Sequence, residues 1–336
     1  MILVTGATGL VGSHLLFKLA KSNEKVRALY RDKEKLDAVR RVFSCYTDNY
    51  QPLFGSIEWF EGDILDIPSL SKALKDIKYV YHCAALVSFE PHKYHTLRKT
   101  NIEGTANVVN LSIANQIEKL CYVSSVATLG SPIKNEPVTE DTFWNPEEDN
   151  NVYAITKYGA EMEVWRATQE GLNAVIVNPS VILGAGIWDS GSGSLFKRAH
   201  KGLNFYTKGT INLVAVEDVV SIMIKLMESN ITNQRYILVA KNWSYKQFLT
   251  TLTASVNAKA PKNLAKPWLL NTVWRLDWLL HKIIGKKREL TKHLSRSLNS
   301  HTVYSNAKIK SELDDVQFKS VEKTISEIGA IYLKQV

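Results

Sequence analysis

A chain of 336 residues exceeds one average domain and suits two lobes. Apolar residues make up 45% and charged residues 22%, as in globular proteins, and no run approaches the ~18 apolar residues of a membrane span. The net charge of +9 is concentrated: Lys259 to Lys310 carry 12 Lys and Arg against Asp277 and Glu289, and the rest of the chain is almost neutral. No nucleic-acid reader module accompanies that charge, so nucleic acid is not expected as a partner.

Ile2 to Val4 is a short β-branched apolar run that reads as a buried strand. Gly6, Gly9 and Gly12 follow at three-residue intervals, and an apolar-periodic helix starts near Leu10. Strand, glycine turn and helix in that order make an anion site, because glycines admit a pyrophosphate to the backbone and the helix N-terminus offers free N–H groups. A purely structural turn is the plainer alternative. Cys45, Cys83 and Cys121 form no C-x-x-C pair, and a sparse, odd set points to a reducing compartment. With Met1 leading straight into the strand, a cytoplasmic protein is expected, and no metal.

Further along, 25–30, 57–60, 79–82, 119–123 and 174–177 read as strands two to six. Between them 33–43, 68–74, 94–114 and 153–168 have helical periodicity, whereas 44–56 reads as a loop. This alternation predicts an α/β fold with a doubly wound parallel sheet. Beyond Pro179 it thins: 184–193 is Gly- and Ser-rich and reads as a mobile loop, 213–227 returns to the first lobe, 236–240 is one more strand, and the rest is mostly helical. The expected division is a dinucleotide-binding domain of 1–178 with about 211–230, and a smaller, mostly helical substrate lobe of about 179–210 with 231–336.

Tyr153 and Lys157 lie four residues apart and share a helix face. A nearby ammonium favours phenolate, which lowers the phenol's pKa and makes a general acid/base usable near neutrality. By itself such a pair is commonly a surface feature. Ser124 and Ser125 end the fifth strand, where a hydroxyl could bind a substrate carbonyl or merely close a turn. Asp63 ends the third strand and could accept from an adenine amine. Asn101 is a poor helix former inside a helix, which suggests a bulge or a held water near Lys157.

Taken together, Thr5-Gly6-Ala7-Thr8-Gly9-Leu10-Val11-Gly12, Gly62-Asp63-Ile64, His82-Cys83-Ala84-Ala85, Asn101-Ile102-Glu103-Gly104-Thr105, Val123-Ser124-Ser125, Tyr153-Ala154-Ile155-Thr156-Lys157 and Asn178-Pro179-Ser180-Val181-Ile182-Leu183-Gly184 resemble, in order and spacing, the extended short-chain dehydrogenase/reductases. These are the NAD(P)-dependent epimerase/dehydratase family. The resemblance implies a Rossmann fold, with Tyr153 as acid/base, Lys157 lowering its pKa and holding the nicotinamide ribose, Ser125 and less directly Ser124 orienting the reacting oxygen, and Asn101 in a proton relay. It also implies that Gly6, Thr8, Gly9, Leu10, Val11 and Gly12 cradle the pyrophosphate and that Asp63 and Ile64 flank the adenine. Ala84, Ala85, Ser124, Pro179, Ser180 and Val181 would line the dinucleotide, and a homodimer is implied.

Tyr30 stands where an acidic residue would bind the ribose of NAD, and Arg31 follows, which favours NADP(H) over NAD(H). Asp32 competes as a ribose ligand but suits a helix cap better. The likeness is greatest to dihydroflavonol-reductase-like and 3β-hydroxysteroid-dehydrogenase-like members. Val126-Ala127-Thr128 offers no carboxylate for eliminating water, and Ile211-Asn212-Leu213 lacks the Arg with which sugar epimerases hold a diphosphate. The expected activity is therefore carbonyl reduction or alcohol oxidation on a partly apolar small molecule. Sugar epimerisation and a non-catalytic NADP-sensing regulator are the alternatives.

The basic stretch 267–288 holds Trp268, Trp274 and Trp278 among Leu and Ile, with Lys and Arg at its ends. The favoured reading is a substrate-lobe helix whose apolar side closes an apolar pocket. The other is a helix lying on an anionic membrane.

Overall fold

The opening run forms strand β1 (Ile2–Thr5), every residue of which is buried. The computed structural model describes residues 1–132, 136–284 and 291–336. β1 pairs in parallel with β2 (Val26–Tyr30) on one side; beyond β2 lies β3 (Glu58–Glu61), also parallel. On its other side come β4 (Tyr79–His82), β5 (Lys119–Val123) and β6 (Ala174–Pro179), all parallel. The order reverses between β1 and β4, so the crevice for a ligand opens at their carboxyl ends.

Helices cover both faces, which is why these strands read as unbroken apolar runs. On one face pack α1 (Leu10–Lys21) and α2 (Leu36–Ser44), around Leu15, Leu16, Val39 and Phe43. The segment read as a loop holds a short helix, α3 (Gln51–Gly55), started by Pro52, whose fixed φ suits a first turn. The other face carries α4 (Ile67–Ala73), α5 (Tyr94–Leu97), α6 (Gly104–Ala114) and α7 (Val152–Gln169). Truncating a wholly buried side chain such as Leu16 to Ala would cost about 2–5 kcal/mol.

After β6 the chain makes β7 (Val181–Leu183), α8 (Gly193–His200), β8 (Phe205–Tyr206) and β9 (Thr210–Ala215). Helix α9 (Val216–Glu228) returns to the first face, and its last carbonyls, Leu226 and Ser229 beyond it, accept from the Lys119 ammonium at 2.6 and 2.7 Å. Strand β10 (Gln234–Leu238) then joins the central sheet beside β6, making seven strands among the described residues. The sequence reading placed 231–336 in the second lobe; 234–238 instead belong to the first, because Tyr236, Ile237 and Leu238 are buried there.

The remainder contributes β11 (Lys241–Ser244), α10 (Tyr245–Ser255), β12 (Asn263–Leu264), α11 (Pro267–Ile284), α12 (Lys292–Ser297), α13 (Ala307–Glu312) and α14 (Val321–Gln335). A small sheet, β11-β9-β7, and helices α8, α10 and α14 enclose a second core with Trp188, Phe196, Trp243 and Phe248. The Gly/Ser-rich segment is anchored rather than loose: Trp188 is buried with its indole donating to Gln335, and the Ala185 carbonyl meets the His14 ring.

Candidate active site

Glycine at two turn positions is dictated by the backbone. Gly6 has φ +66, and a Cβ there would meet the Ala84 nitrogen at 2.5 Å. At Gly12 a Cβ would lie 2.3 Å from the Gly6 carbonyl. Gly9 differs: it is exposed, has ordinary φ, and its Cβ would approach only the Gly6 oxygen, at 3.3 Å. It is the N-cap of α1, has no side chain to cap that end, and the first turn holds no acid. The free N–H groups and positive dipole end are left for an external anion. Thr8, Leu10 and Val11 are partly open around them.

Residues placed at strand ends by the sequence collect there. Ala84 and Ala85 follow β4, Ser124 and Ser125 follow β5, and Pro179, Ser180 and Val181 run from β6 into β7. Arg31 and Asp63, after β2 and β3, pair at 3.4 Å; the guanidinium remains largely exposed. Asp32 caps the next turn by accepting from the Glu34 N–H at 3.0 Å, as its position suggested. Ile64 is buried against Gly104, and its carbonyl accepts from Asn107.

Asn151 starts α7, its side chain accepting from the Ala154 N–H at 2.9 Å. This cap puts Tyr153 in the first turn. The Tyr153 phenol lies beside the Ser125 side chain and meets the Phe89 ring edge-on at 5.5 Å. Tyr158, the other phenol, faces elsewhere and stacks on Trp144. One turn beyond Tyr153, Lys157 is buried and donates to the Tyr122 hydroxyl at 2.7 Å and the Val123 carbonyl at 2.8 Å.

Burial sets the charges. It pulls Lys157 down to about 7, against the opposing pull of Glu161. It raises the Tyr153 phenol, against the opposing pull of the Ser125 side chain. The sequence reading expected the ammonium, together with an oxidised nicotinamide, to lower the phenol's pKa; in the protein's own surroundings burial raises it, and the Lys157 amine donates to Tyr122 and Val123. His82, bridging Thr5 at 2.7 Å and Thr105 at 2.9 Å, is held neutral, its pKa lowered by burial to about 3.

Two of the expected site residues make contacts that the sequence did not show. The Ser124 hydroxyl turns inward and donates to Glu161 at 2.6 Å, leaving Ser125 as the serine beside the phenol. Asn101 does sit in a bulge, a π-helical turn at Arg98–Glu103. Both ends of its amide, however, hold the Leu86 backbone, at 2.8 and 3.0 Å, and its nitrogen also donates to Thr156. It ties the segment after β4 to α7.

The sequence reading missed Glu161, one turn past Lys157. Its wholly buried carboxylate accepts from Ser124, Thr128 and Asn178 and pairs with Arg235 of β10 at 2.9 Å. The four-residue step from Tyr153 to Lys157 continues to Glu161, a signal that was available. Arg235 had none.

The family model of the NAD dependent epimerase/dehydratase family matches residues 2–240. The chain belongs to that family. Among its relatives, a putative dihydroflavonol 4-reductase of Synechocystis is 30% identical, over 84% of this chain and 79% of its own. Sterol demethylase protein B of Methylococcus capsulatus is 26% identical over 93% and 92%. Among solved structures, gox2253 superposes with TM-score 0.81 at 26% identity, over 100% of this chain and 98% of its own. The Bordetella bronchiseptica enzyme WbmH, solved with NAD+, shares the fold at 17% identity and TM-score 0.75, over 98% and 97%. As a family member this chain is an enzyme of the NAD-dependent epimerase/dehydratase/reductase superfamily with a nucleotide-binding Rossmann fold.

Proposed function

We propose that this chain is an NAD(P)(H)-dependent oxidoreductase that interconverts a carbonyl and an alcohol on a partly apolar small molecule. The observation that carries the reading is the placement of the Tyr153 phenol beside the Ser125 side chain, one turn from a buried Lys157, where β5 ends and α7 begins. The glycine turn and uncapped α1 fit a dinucleotide pyrophosphate, and the dinucleotide, when bound, supplies or takes up the hydride.

The protein's part is proton handling and orientation. Ser125 donates to the substrate oxygen and aligns it. Tyr153 delivers the proton to that oxygen in reduction and takes it back in oxidation. Lys157 keeps a positive potential beside Tyr122 and Val123 below about pH 7. Phe89 beside Tyr153 and the exposed Val87 before it give the mouth an apolar side.

Reduction is favoured over sugar epimerisation because Ile211 and Leu213 are buried in β9 and Asn212 donates to Asn242 and the Thr302 carbonyl, leaving this segment no cation for a diphosphate. NADP(H) is favoured by the exposed Arg31 at the end of β2. A retained Tyr, Lys and Ser set speaks against a purely sensory protein. NADPH oxidation with a panel of aldehydes and ketones tests the reading. Tyr153→Phe is expected to lower kcat about 10²–10⁴-fold with the melting temperature unchanged; activity surviving within tenfold would remove Tyr153 as the acid.

A further inference from the structure

Helix α11 is turned inside out relative to an ordinary surface helix. Its one acid, Asp277, is 9% exposed, whereas Ile283 is 68% exposed. At about 100° per residue, Trp268, Leu279, Ile283, Leu276, Leu280 and Val273 fall within a single arc of roughly 140°. All six are exposed. Leu270 and Trp274 are half-buried on the opposite side, beside Asp277. The apolar side does not close a pocket, as the favoured sequence reading expected; it faces outward.

Cations edge this arc. Arg275 and Lys282 project next to Trp268 on the wheel, and Lys262 and Lys266 are exposed just before the helix. Arg275 also lies over the Trp274 ring and Lys282 over the Trp278 ring. Gly285, Lys286, Lys287 and Arg288, part of the same sequence expectation, lie outside the described residues. No described helix is long and apolar enough to cross a membrane.

We infer that α11 seats the protein on an anionic lipid bilayer, lying in the interface with its Leu and Ile arc among the acyl chains and its cations against the headgroups. A wide apolar arc edged on one side by Arg and Lys, with Trp268 at that margin, is the chemistry that such a surface takes. Charge decides between occupants: the whole basic excess of the chain lies in residues 259–310, which contain α11, and a second copy would bring the same positive charge to its own contact. Helix α12 connects this surface to the catalytic side of the molecule. It packs against α11, and its His293 and Arg296 pair with Asp149, four residues before Tyr153. The inference does not depend on the proposed reaction.

The test is co-sedimentation of the full chain with phosphatidylcholine vesicles and with vesicles of phosphatidylcholine and phosphatidylglycerol. Binding to the anionic vesicles alone, weakened by salt, is expected. Leu279→Ser with Ile283→Ser, which keeps the charge, should lower the bound-to-free ratio about tenfold or more, and Arg275→Gln with Lys282→Gln should weaken the salt dependence. Both pairs are surface changes, and circular dichroism checks their folding. No sedimentation, equal binding to both vesicles, or full binding by the Leu279/Ile283 variant would overturn the inference. So would self-association in ultracentrifugation that this variant abolishes without vesicle binding, which would assign the face to a second copy.

Discussion

Arg235 reaches from β10 to Glu161 on α7, 2.9 Å away, and joins the last strand of the sheet to the helix that carries Tyr153 and Lys157. The carboxylate has no exposure and the Arg235 side chain is only 18% exposed, so the pair stands out of water. Four further donors, Ser124, Thr128, Asn178 and the Trp165 indole, share its hydrogen bonding. The ends of β5, β6 and β10 are thereby fixed against α7, and the Ser125 hydroxyl is held where the phenol can meet it.

Removing that carboxylate leaves the largely buried Arg235 guanidinium without its counter-charge, still donating only to the Glu140 carbonyl. Glu161→Ala is expected to lose about 3–5 kcal/mol of stability, whereas Glu161→Gln, which keeps shape and most acceptor capacity, should lose less. Urea denaturation of the three proteins measures both. Equal stability of wild type and Glu161→Ala would show the network to be ornamental to the fold.

The glycine turn separates two roles by position. Gly12→Ala drives a Cβ into the Gly6 carbonyl and is expected to cost about 1–3 kcal/mol or more, because the turn cannot yield. Gly9→Ala brings its Cβ to a single tight contact, 3.3 Å from the Gly6 carbonyl oxygen, and should cost less than Gly12→Ala, about 1 kcal/mol or below. Its methyl group would instead occupy the approach to α1, so NADPH affinity should fall at least ~tenfold. Thermal melting and fluorescence titration of the nucleotide distinguish the two. Unchanged NADPH affinity in Gly9→Ala would place the pyrophosphate elsewhere.

Much of this was legible in the sequence, because local rules govern it. Buried parallel strands are continuous apolar runs, and the ends of β4 at His82 and β5 at Val123 could be read directly, while β1 and β6 run one and two residues past their readings. The assignment of 234–238 failed because a short apolar strand carries no mark of which sheet it joins; its partner, β6, is fixed only by tertiary packing. The bulge at Asn101 was visible as a misfit residue, but the Leu86 backbone it holds was not, being 15 residues away with no pattern connecting them. The burial that raises the Tyr153 phenol was not legible for the same reason. Burial is a property of the assembled crevice, while the four-residue spacing to Lys157 is a property of the helix alone.

Arg31 tests the cofactor preference. If its guanidinium receives the 2′-phosphate, Arg31→Gln should lower kcat/KM for NADPH about tenfold or more and leave that for NADH nearly unchanged. The loose, exposed pairing with Asp63 makes a large stability change unexpected. Equal loss with both nucleotides, or no loss, would sink the NADP preference while leaving the reductase reading intact.

Lys157 should make stability depend on pH. Its pKa in the fold is about 7, below the usual 10.5, so between these values the unfolded chain binds the additional proton. Stability contributed by this group therefore rises with pH across that window, with a slope of at most ~1.4 kcal/mol per pH unit, and is flat below it, where both states are charged. Other groups titrate in the same range, so the informative quantity is the difference between wild type and Lys157→Met, measured by urea denaturation from pH 6 to 10, a range chosen about the two values. Wild type should gain on Lys157→Met as pH rises above about 7. A difference independent of pH would mean that Lys157 stays fully charged in the fold, and that the crevice around Tyr153 is wetter than its burial indicates.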